Sequence, residues 1–164
     1  MILLSDAMVL MDMGHVGGLE ILGKIAPTEV LDVVLQECEH ESQPGLVQAI
    51  KKAGIKEIPS SVALVQEASK YSSLYDQLSL QDSLCLHYAK QNKKTLLTNE
   101  KHLRNRCLVE SVDVHGTIWI LEQFHNGGFK KPKELCGWIA LLSKKERRLP
   151  KEEVARLKIL FECT

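Results

Sequence analysis

Aromatic residues make up only 5% of this 164-residue chain: two Trp, three Tyr and three Phe. So few rings give no stacking platform of the kind that sequence-tolerant single-strand binders use, which argues against an oligonucleotide-fold binder. Long hydrophobic runs are also missing. Stretches such as Ile118-Trp119-Ile120-Leu121 fall far short of the roughly 20 apolar residues that cross a bilayer. No basic region precedes the apolar N-terminal stretch, so no signal peptide is expected. Neither charge predominates, with 21 Lys plus Arg against 21 Asp plus Glu, and whole-molecule charge selects no class of partner. The five cysteines, at 38, 85, 107, 136 and 163, are odd in number and form no C-x-x-C. Neither a disulfide framework nor a zinc ribbon is suggested, and reduced thiols in a cytoplasmic protein are expected. The six histidines, at 15, 40, 87, 102, 115 and 125, show no H-E-x-x-H spacing, which disfavours zinc.

What is present is an ordinary globular composition, 45% hydrophobic and 26% charged. A chain of this size buries roughly two thirds of its unfolded surface, enough for a core without staples. One domain over 1–164 is expected, with 130–164 as a C-terminal helical extension. Charge is unevenly spread: residues 1–90 hold 12 acids and 6 bases, and residues 91–164 hold 9 acids and 15 bases. An acidic centre beside a basic flank is the reading, although any single charged run serves equally well as a solvated helix face.

Short apolar runs alternate with helical patterns. Met1 to Ser5 reads as a buried strand ending at Asp6, followed by a helix that Gly17-Gly18 interrupts and Gly23 stops. A strand over about Glu29 to Leu31 precedes a helix capped by Asp32, in which Val33, Val34, Glu37, Cys38 and Glu41 share a face. Pro44 to Ala53 predicts a helix, Ile55 to Ile58 a short strand, and Ser60-Ser61 an amphipathic helix to about Ser73. Ser79-Leu80-Gln81-Asp82 has capping-box form and starts a helix to about Asn92. Thr95 to Thr98 is the clearest strand, followed by a helix from Asn99. Val112 to Val114 predicts another strand, and His115-Gly116-Thr117 opens a helix to about Phe124. Two last helices run from Pro132 to about Lys145 and from Pro150 to about Phe161. This alternation predicts an α/β fold, a three-layer α/β/α sandwich around a mainly parallel sheet with extra C-terminal helices.

Ligands of open parallel sheets bind outside the carboxyl ends of the strands, where Asp6 and Thr98-Asn99-Glu100 should lie. Asp82 and Glu37 come from two further segments. Each acid has a plain structural explanation: Asp6 as a helix N-cap, Asp82 as the partner in a capping box, Glu100 as a first-turn acid. Glu37 fits worst, because Val33 and Val34 place it on the stripe expected to face the core. Two carboxylates about 4 Å apart repel by roughly 4 kcal/mol at an effective dielectric near 20, so a converging set calls for a cation. All-oxygen donors suit Mg2+ or Mn2+.

At these residues the sequence resembles the PIN-domain family, metal-dependent nucleases that include the toxin half of many bacterial toxin-antitoxin pairs. The matching pieces are Ser5-Asp6-Ala7-Met8-Val9-Leu10-Met11-Asp12, Val33-Val34-Leu35-Gln36-Glu37-Cys38, Leu78-Ser79-Leu80-Gln81-Asp82-Ser83 and Leu96-Leu97-Thr98-Asn99-Glu100 with Leu103-Arg104. Val114-His115-Gly116-Thr117-Ile118-Trp119 and Arg148-Leu149-Pro150-Lys151-Glu152-Glu153 resemble segments of one bacterial and archaeal branch. The resemblance implies a catalytic, metal-binding quartet of Asp6, Glu37, Asp82 and Glu100, with Thr98 as the accompanying hydroxyl. In the family the last acid is usually aspartate, and glutamate here adds a methylene.

Three functions are open. The first is an Mg2+- or Mn2+-dependent endoribonuclease, in which Asp6 and Asp82 would hold the ion and Glu37 and Glu100 would position the attacking water; the resemblance implies products with 5'-phosphate and 3'-hydroxyl ends. RNA would be gripped through its backbone by Lys94, Lys101 and Arg104, with Asn99 on a phosphate oxygen or an acid, and Lys93 and Arg106 nearby. Lys130, Lys131, Lys133 and the Lys144 to Arg148 cluster are as well explained by solvated helix ends. Trp119 and Trp138 are assigned to core or subunit contacts. The second is a catalytically silent module that binds protein or RNA. The third, a phosphoacceptor receiver, needs an aspartate ending the middle strand, and Ile55 to Ser60 supplies none. An antitoxin partner and a homodimer are implied by the resemblance, and no membrane partner is expected.

Overall fold

The computed structural model describes residues 1–39, 43–144 and 149–164. Five parallel strands form its centre in the order β3-β2-β1-β4-β5. They are β1 (Leu3–Ser5), β2 (Thr28–Leu31), β3 (Lys56–Ile58), β4 (Thr95–Leu97) and β5 (Val114–His115). Register is set by Leu3 opposite Thr28 and Thr95, and Leu96 opposite Val114. β1, β2 and β4 are buried throughout, as expected of strands covered on both faces. Edge strand β3 is mostly exposed. All four pairings are parallel, so the expected mainly parallel sheet holds without exception among the described residues.

Ten helices surround the sheet among the described residues: α1 (Ala7–Val16), α2 (Leu19–Ile25), α3 (Asp32–Glu39), α4 (Leu46–Lys52), α5 (Val62–Leu74), α6 (Leu80–Asn92), α7 (Lys101–Val109), α8 (Thr117–Asn126), α9 (Pro132–Ser143) and α10 (Lys151–Leu160). One packed group runs through α1, α2, α3, α4, α8 and α9, and another through α5, α6 and α7, giving the two outer layers of an α/β/α sandwich. α9 rests on α1 and α8, and α10 on α8. Their Leu135, Ile139, Leu142 and Leu157 join the same apolar core as Leu3, Leu10 and Leu96.

Several expectations need correction. Gly17 does end α1, in the left-handed conformation at φ 80°, but α2 runs through Gly23 to Ile25. A single glycine costs only about 1 kcal/mol in a helix, less than the burial of Leu19 and Leu22 returns. The last strand is Val114–His115, because Val112 bonds back to the Cys107 carbonyl at 2.8 Å and closes the turn after α7. Not every cysteine is a thiol: Cys136 of α9 and Cys163 are joined in a disulfide across 27 residues, while Cys38, Cys85 and Cys107 are free and buried. The tail folds back after α10 onto α9, a long-range approach that cysteine spacing alone does not reveal. β3 lies at the sheet edge, so the Ile55 to Ser60 segment is not the middle strand on which a receiver would carry its aspartate. The receiver reading falls on strand order instead, since receivers have 2-1-3-4-5. Glu41 and Lys145 to Arg148 lie outside the described residues.

Candidate active site

In this strand order the chain reverses direction across the sheet between β1 and β4, and a crevice opens there at the carboxyl ends. Asp6 follows β1 directly. Its amide donates to the Leu97 carbonyl at 3.0 Å, tying the two strand ends together. Its Oδ1 accepts from the Val9 amide at 2.9 Å and so caps α1. Thr98, fully buried after β4, hydrogen-bonds the Asp6 carboxylate and accepts from the Glu100 amide at 3.0 Å. One hydroxyl thus sets both acids. Glu100 is the N-cap of α7, its Oε1 accepting from the His102 amide at 3.4 Å. Asp82 sits in the first turn of α6 in a reciprocal capping box with Ser79. The plain structural roles expected of Asp6 and Asp82 are therefore real, whereas Glu100 is the N-cap of α7 and not a first-turn acid.

They do not separate the acids. Asp6, Glu37, Asp82 and Glu100 all line one cavity of about 200 Å³, with Ala7, Met8, Val34, Ser79, Gln81 and Cys85. Glu37 reaches it from α3, but not as expected. It is exposed, and Val34, Leu35 and Cys38 are the residues of α3 that enter the core.

The electrostatics fit a crowd of like charges. Burial, and then the neighbouring Asp82 and Asp12, push the Asp6 carboxyl up to about 7, against the opposing bonds from Thr98 and Val9. Burial and Glu100 raise Asp82 as well. Cys85 is held neutral, well above its ordinary range, by burial and by the surrounding Asp6, Asp82 and Glu37.

A further buried acid stands beside the quartet that the sequence singles out. Asp12, 3% exposed in α1, accepts at Oδ2 from Asn99 Nδ2 at 3.3 Å and from the Thr117 hydroxyl at 3.2 Å. Asn99 also donates to Thr117 Oγ1 at 2.8 Å and accepts from the Thr117 amide at 2.9 Å. The sequence does carry a signal for it: a lone carboxylate between Met11 and Met13 inside an otherwise apolar helix cannot be buried unpaired. Asn99 therefore anchors the loop carrying Glu100 to α1 and α8.

The proposed RNA-binding bases are only partly gathered. Lys101 is exposed at the first position of α7, next to Glu100. Arg104 donates to the Thr98 carbonyl at 3.2 Å. Lys94 lies at the opposite, amino-terminal end of the strands, nearly buried in an ion pair with Glu29 at 3.1 Å, and so stands away from the acids. Arg106 is engaged by the Tyr71 hydroxyl at 2.8 Å and by the Tyr75 ring. Trp138 is buried against Phe124, as expected of a core residue, whereas Trp119 is only half-buried.

The oxygen donors around the cavity are four carboxylates, the Ser79 hydroxyl and the Gln81 amide, a hard set suited to Mg2+ or Mn2+, with the neutral Cys85 and the Met8 sulfur beside them. Among the described residues no three His, Cys, Asp or Glu form a group that could hold a metal by themselves. Magnesium does not require one: it usually keeps several waters and takes one or two carboxylates with phosphate oxygens. A carboxyl raised by burial and then by neighbouring acids, as Asp6 is, is what a cation would relieve. The set fits a water-rich hard ion and does not fit a closed protein cage.

No helix among the described residues is long and apolar enough to cross a membrane. No curated protein matches the chain in sequence. The family DUF3368, described as a PIN domain, matches residues 2–162, nearly the whole length. With a parallel sheet in the fitting order and acids from four segments around one cavity at its switch point, the chain belongs to the PIN-domain family, whose fold is of the nuclease type.

Proposed function

We propose that this protein is a divalent-metal-dependent endoribonuclease that hydrolyses RNA phosphodiester bonds. The observation that supports it most is the shared cavity: Asp6, Glu37, Asp82 and Glu100, from four separate segments, line one space of about 200 Å³ beside a buried threonine. Asp6 and Asp82 would hold Mg2+ or Mn2+, with Glu37 and Glu100 close enough to act through water. When bound, the ion supplies charge neutralisation for the phosphoryl oxygens and lowers the pKa of a bound water.

The remaining work falls to the chain. Thr98 fixes the Asp6 carboxylate and the Glu100 backbone together. Glu37 and Glu100, both exposed, would accept a proton from an attacking water. Lys101, beside Glu100, offers a cation to the scissile strand's backbone. Products with 5'-phosphate and 3'-hydroxyl ends follow the family pattern. The compartment we propose is the cytoplasm, where RNA and magnesium meet. A protein inhibitor such as an antitoxin would act by covering this cavity, and a homodimer is the assembly we propose.

The experiment is cleavage of structured RNAs in Mn2+ by the wild type, Asp6→Asn and Asp82→Asn. Each substitution keeps the shape of the cap and removes the charge. Loss of roughly 100-fold or more in each is the expected result, as for removal of a group that stabilises transition-state charge. Cleavage that persists in both assigns the activity elsewhere, and absence of cleavage by the wild type favours the silent, binding-module reading.

A further inference from the structure

A second cavity, of about 450 Å³, adjoins the first along the chain: Asn99 lines it, and the next residue, Glu100, lines the acid-bearing one. Its size is within the range of small-ligand sites. Two of its walls are rings. His115 and Trp119 stack with centroids 4.2 Å apart and planes 9° from parallel, and Trp119 is half-buried, so part of the indole faces the cavity.

Its formal charges sum to zero, although of its two guanidiniums only Arg156 is in ion pairs among the described residues. Arg156 of α10 is held between Glu122 and Glu153, the latter at 2.7 Å, and Arg104 is fixed on the Thr98 carbonyl at 3.2 Å. Two guanidiniums against two carboxylates give the lining no net positive charge to draw a phosphate. Burial and then Arg104 depress His115, against the pull of Asp113, so its imidazole is neutral. Gly116 lets the wall pack closely: a Cβ there would meet Asn99 Oδ1 at 2.5 Å and Arg104 Nη1 at 2.9 Å. What remains is a charge-balanced, ring-walled space with fixed hydrogen-bonding groups. That chemistry takes a flat neutral heterocycle better than an anion.

We propose that this cavity is a nucleobase subsite: it receives one base of the RNA whose phosphodiester lies at the acid-lined cavity, and the base packs on Trp119. The inference rests on the nuclease reading of the neighbouring site. It gives this aromatic-poor chain one local stacking position, at Trp119, which the sequence assigns to core or subunit contacts.

The test is fluorescence anisotropy with a labelled single-stranded RNA hexamer in EDTA, where no cleavage occurs, using the wild type, Trp119→Ala and Trp119→Phe. Trp119→Ala should bind roughly 5- to 150-fold more weakly, the range for losing one base–aromatic stack, and Trp119→Phe should stay within about twofold. A hexamer made abasic at one position should lose as much affinity for the wild type as Trp119→Ala loses for the intact hexamer, and combining the two should cost little more. Should Trp119→Ala fail to fold, judged by its circular dichroism, the abasic series on the wild type decides alone. Equal affinity for intact and abasic hexamers, or unchanged affinity in a folded Trp119→Ala, overturns the subsite and leaves the cavity to a protein partner. Because EDTA removes catalysis, the readings separate. Cleavage through Asp6 and Asp82 without base-dependent binding refutes the subsite and keeps the nuclease, and base-dependent binding without cleavage does the reverse.

Discussion

Asp6 carries opposing demands in a single carboxylate. It caps α1 and receives Thr98, both of which favour its charged form, yet burial and the neighbouring acids push it up to about 7. For an acid raised in the folded state, the stabilising condition is protonation. That contribution is complete below its ordinary value of 3.8 and is lost as pH rises through about 7. Metal-free protein should therefore gain from Asp6→Asn at pH 8 and gain nothing at pH 4. A rise from 3.8 to about 7 sets an upper bound of ~4 kcal/mol, which in a chain of this size is a melting temperature higher by up to roughly 10 °C. Asparagine caps as well as aspartate, so the cap itself is not lost. Calorimetric melting in EDTA at the two pH values checks this, and equal melting of the two proteins at pH 8 would mean that burial and the neighbouring acids do not raise Asp6.

At the scale of elements, the site is a loop held between helices. The chain from β4 to α7 brings Thr98, Asn99 and Glu100 in sequence, and Asn99 binds it to Asp12 of α1 and Thr117 of α8. Asn99→Ala removes three of these hydrogen bonds and leaves the buried Asp12 with fewer donors, at a cost of about 1–3 kcal/mol. A lower melting temperature and slower RNA cleavage at unchanged divalent-ion affinity are expected; cleavage at the wild-type rate would show that this bridge does not position Glu100. Much of this is legible in the sequence. β1, β4, the capping box at Ser79 and the order of acids announce themselves through apolar runs, cap residues and a family pattern spread over the chain. Glu37 emerges from that pattern but is misplaced by periodicity, because α3 turns Val34 and Cys38 inward rather than the carboxylate. Lys94 is close to the site in sequence, but it precedes its strand and so comes out at the far edge of the sheet. The local pattern marks Asp12 as needing partners but not which ones, because they lie 87 and 105 residues away.

Across the described residues, several bases of the second half are engaged in ion pairs. Lys130 binds Glu134 and Arg156 binds Glu153, while the acids meet through topology. The same long-range folding joins Cys136 to Cys163. A crosslink over 27 residues contributes about 3–4 kcal/mol on chain-entropy grounds and fastens the tail to α9 beside the second cavity's helices. The central claim is that residues scattered from position 6 to position 100 form one cation site. Isothermal calorimetric titration of Mn2+ tests it most directly. The wild type should bind, more tightly at pH 8 than at pH 6 because the ion displaces the proton on Asp6, and Asp82→Asn should lose the heat of binding. Wild-type protein that takes up no Mn2+ at pH 8, or Asp82→Asn that takes it up equally well, would contradict the account.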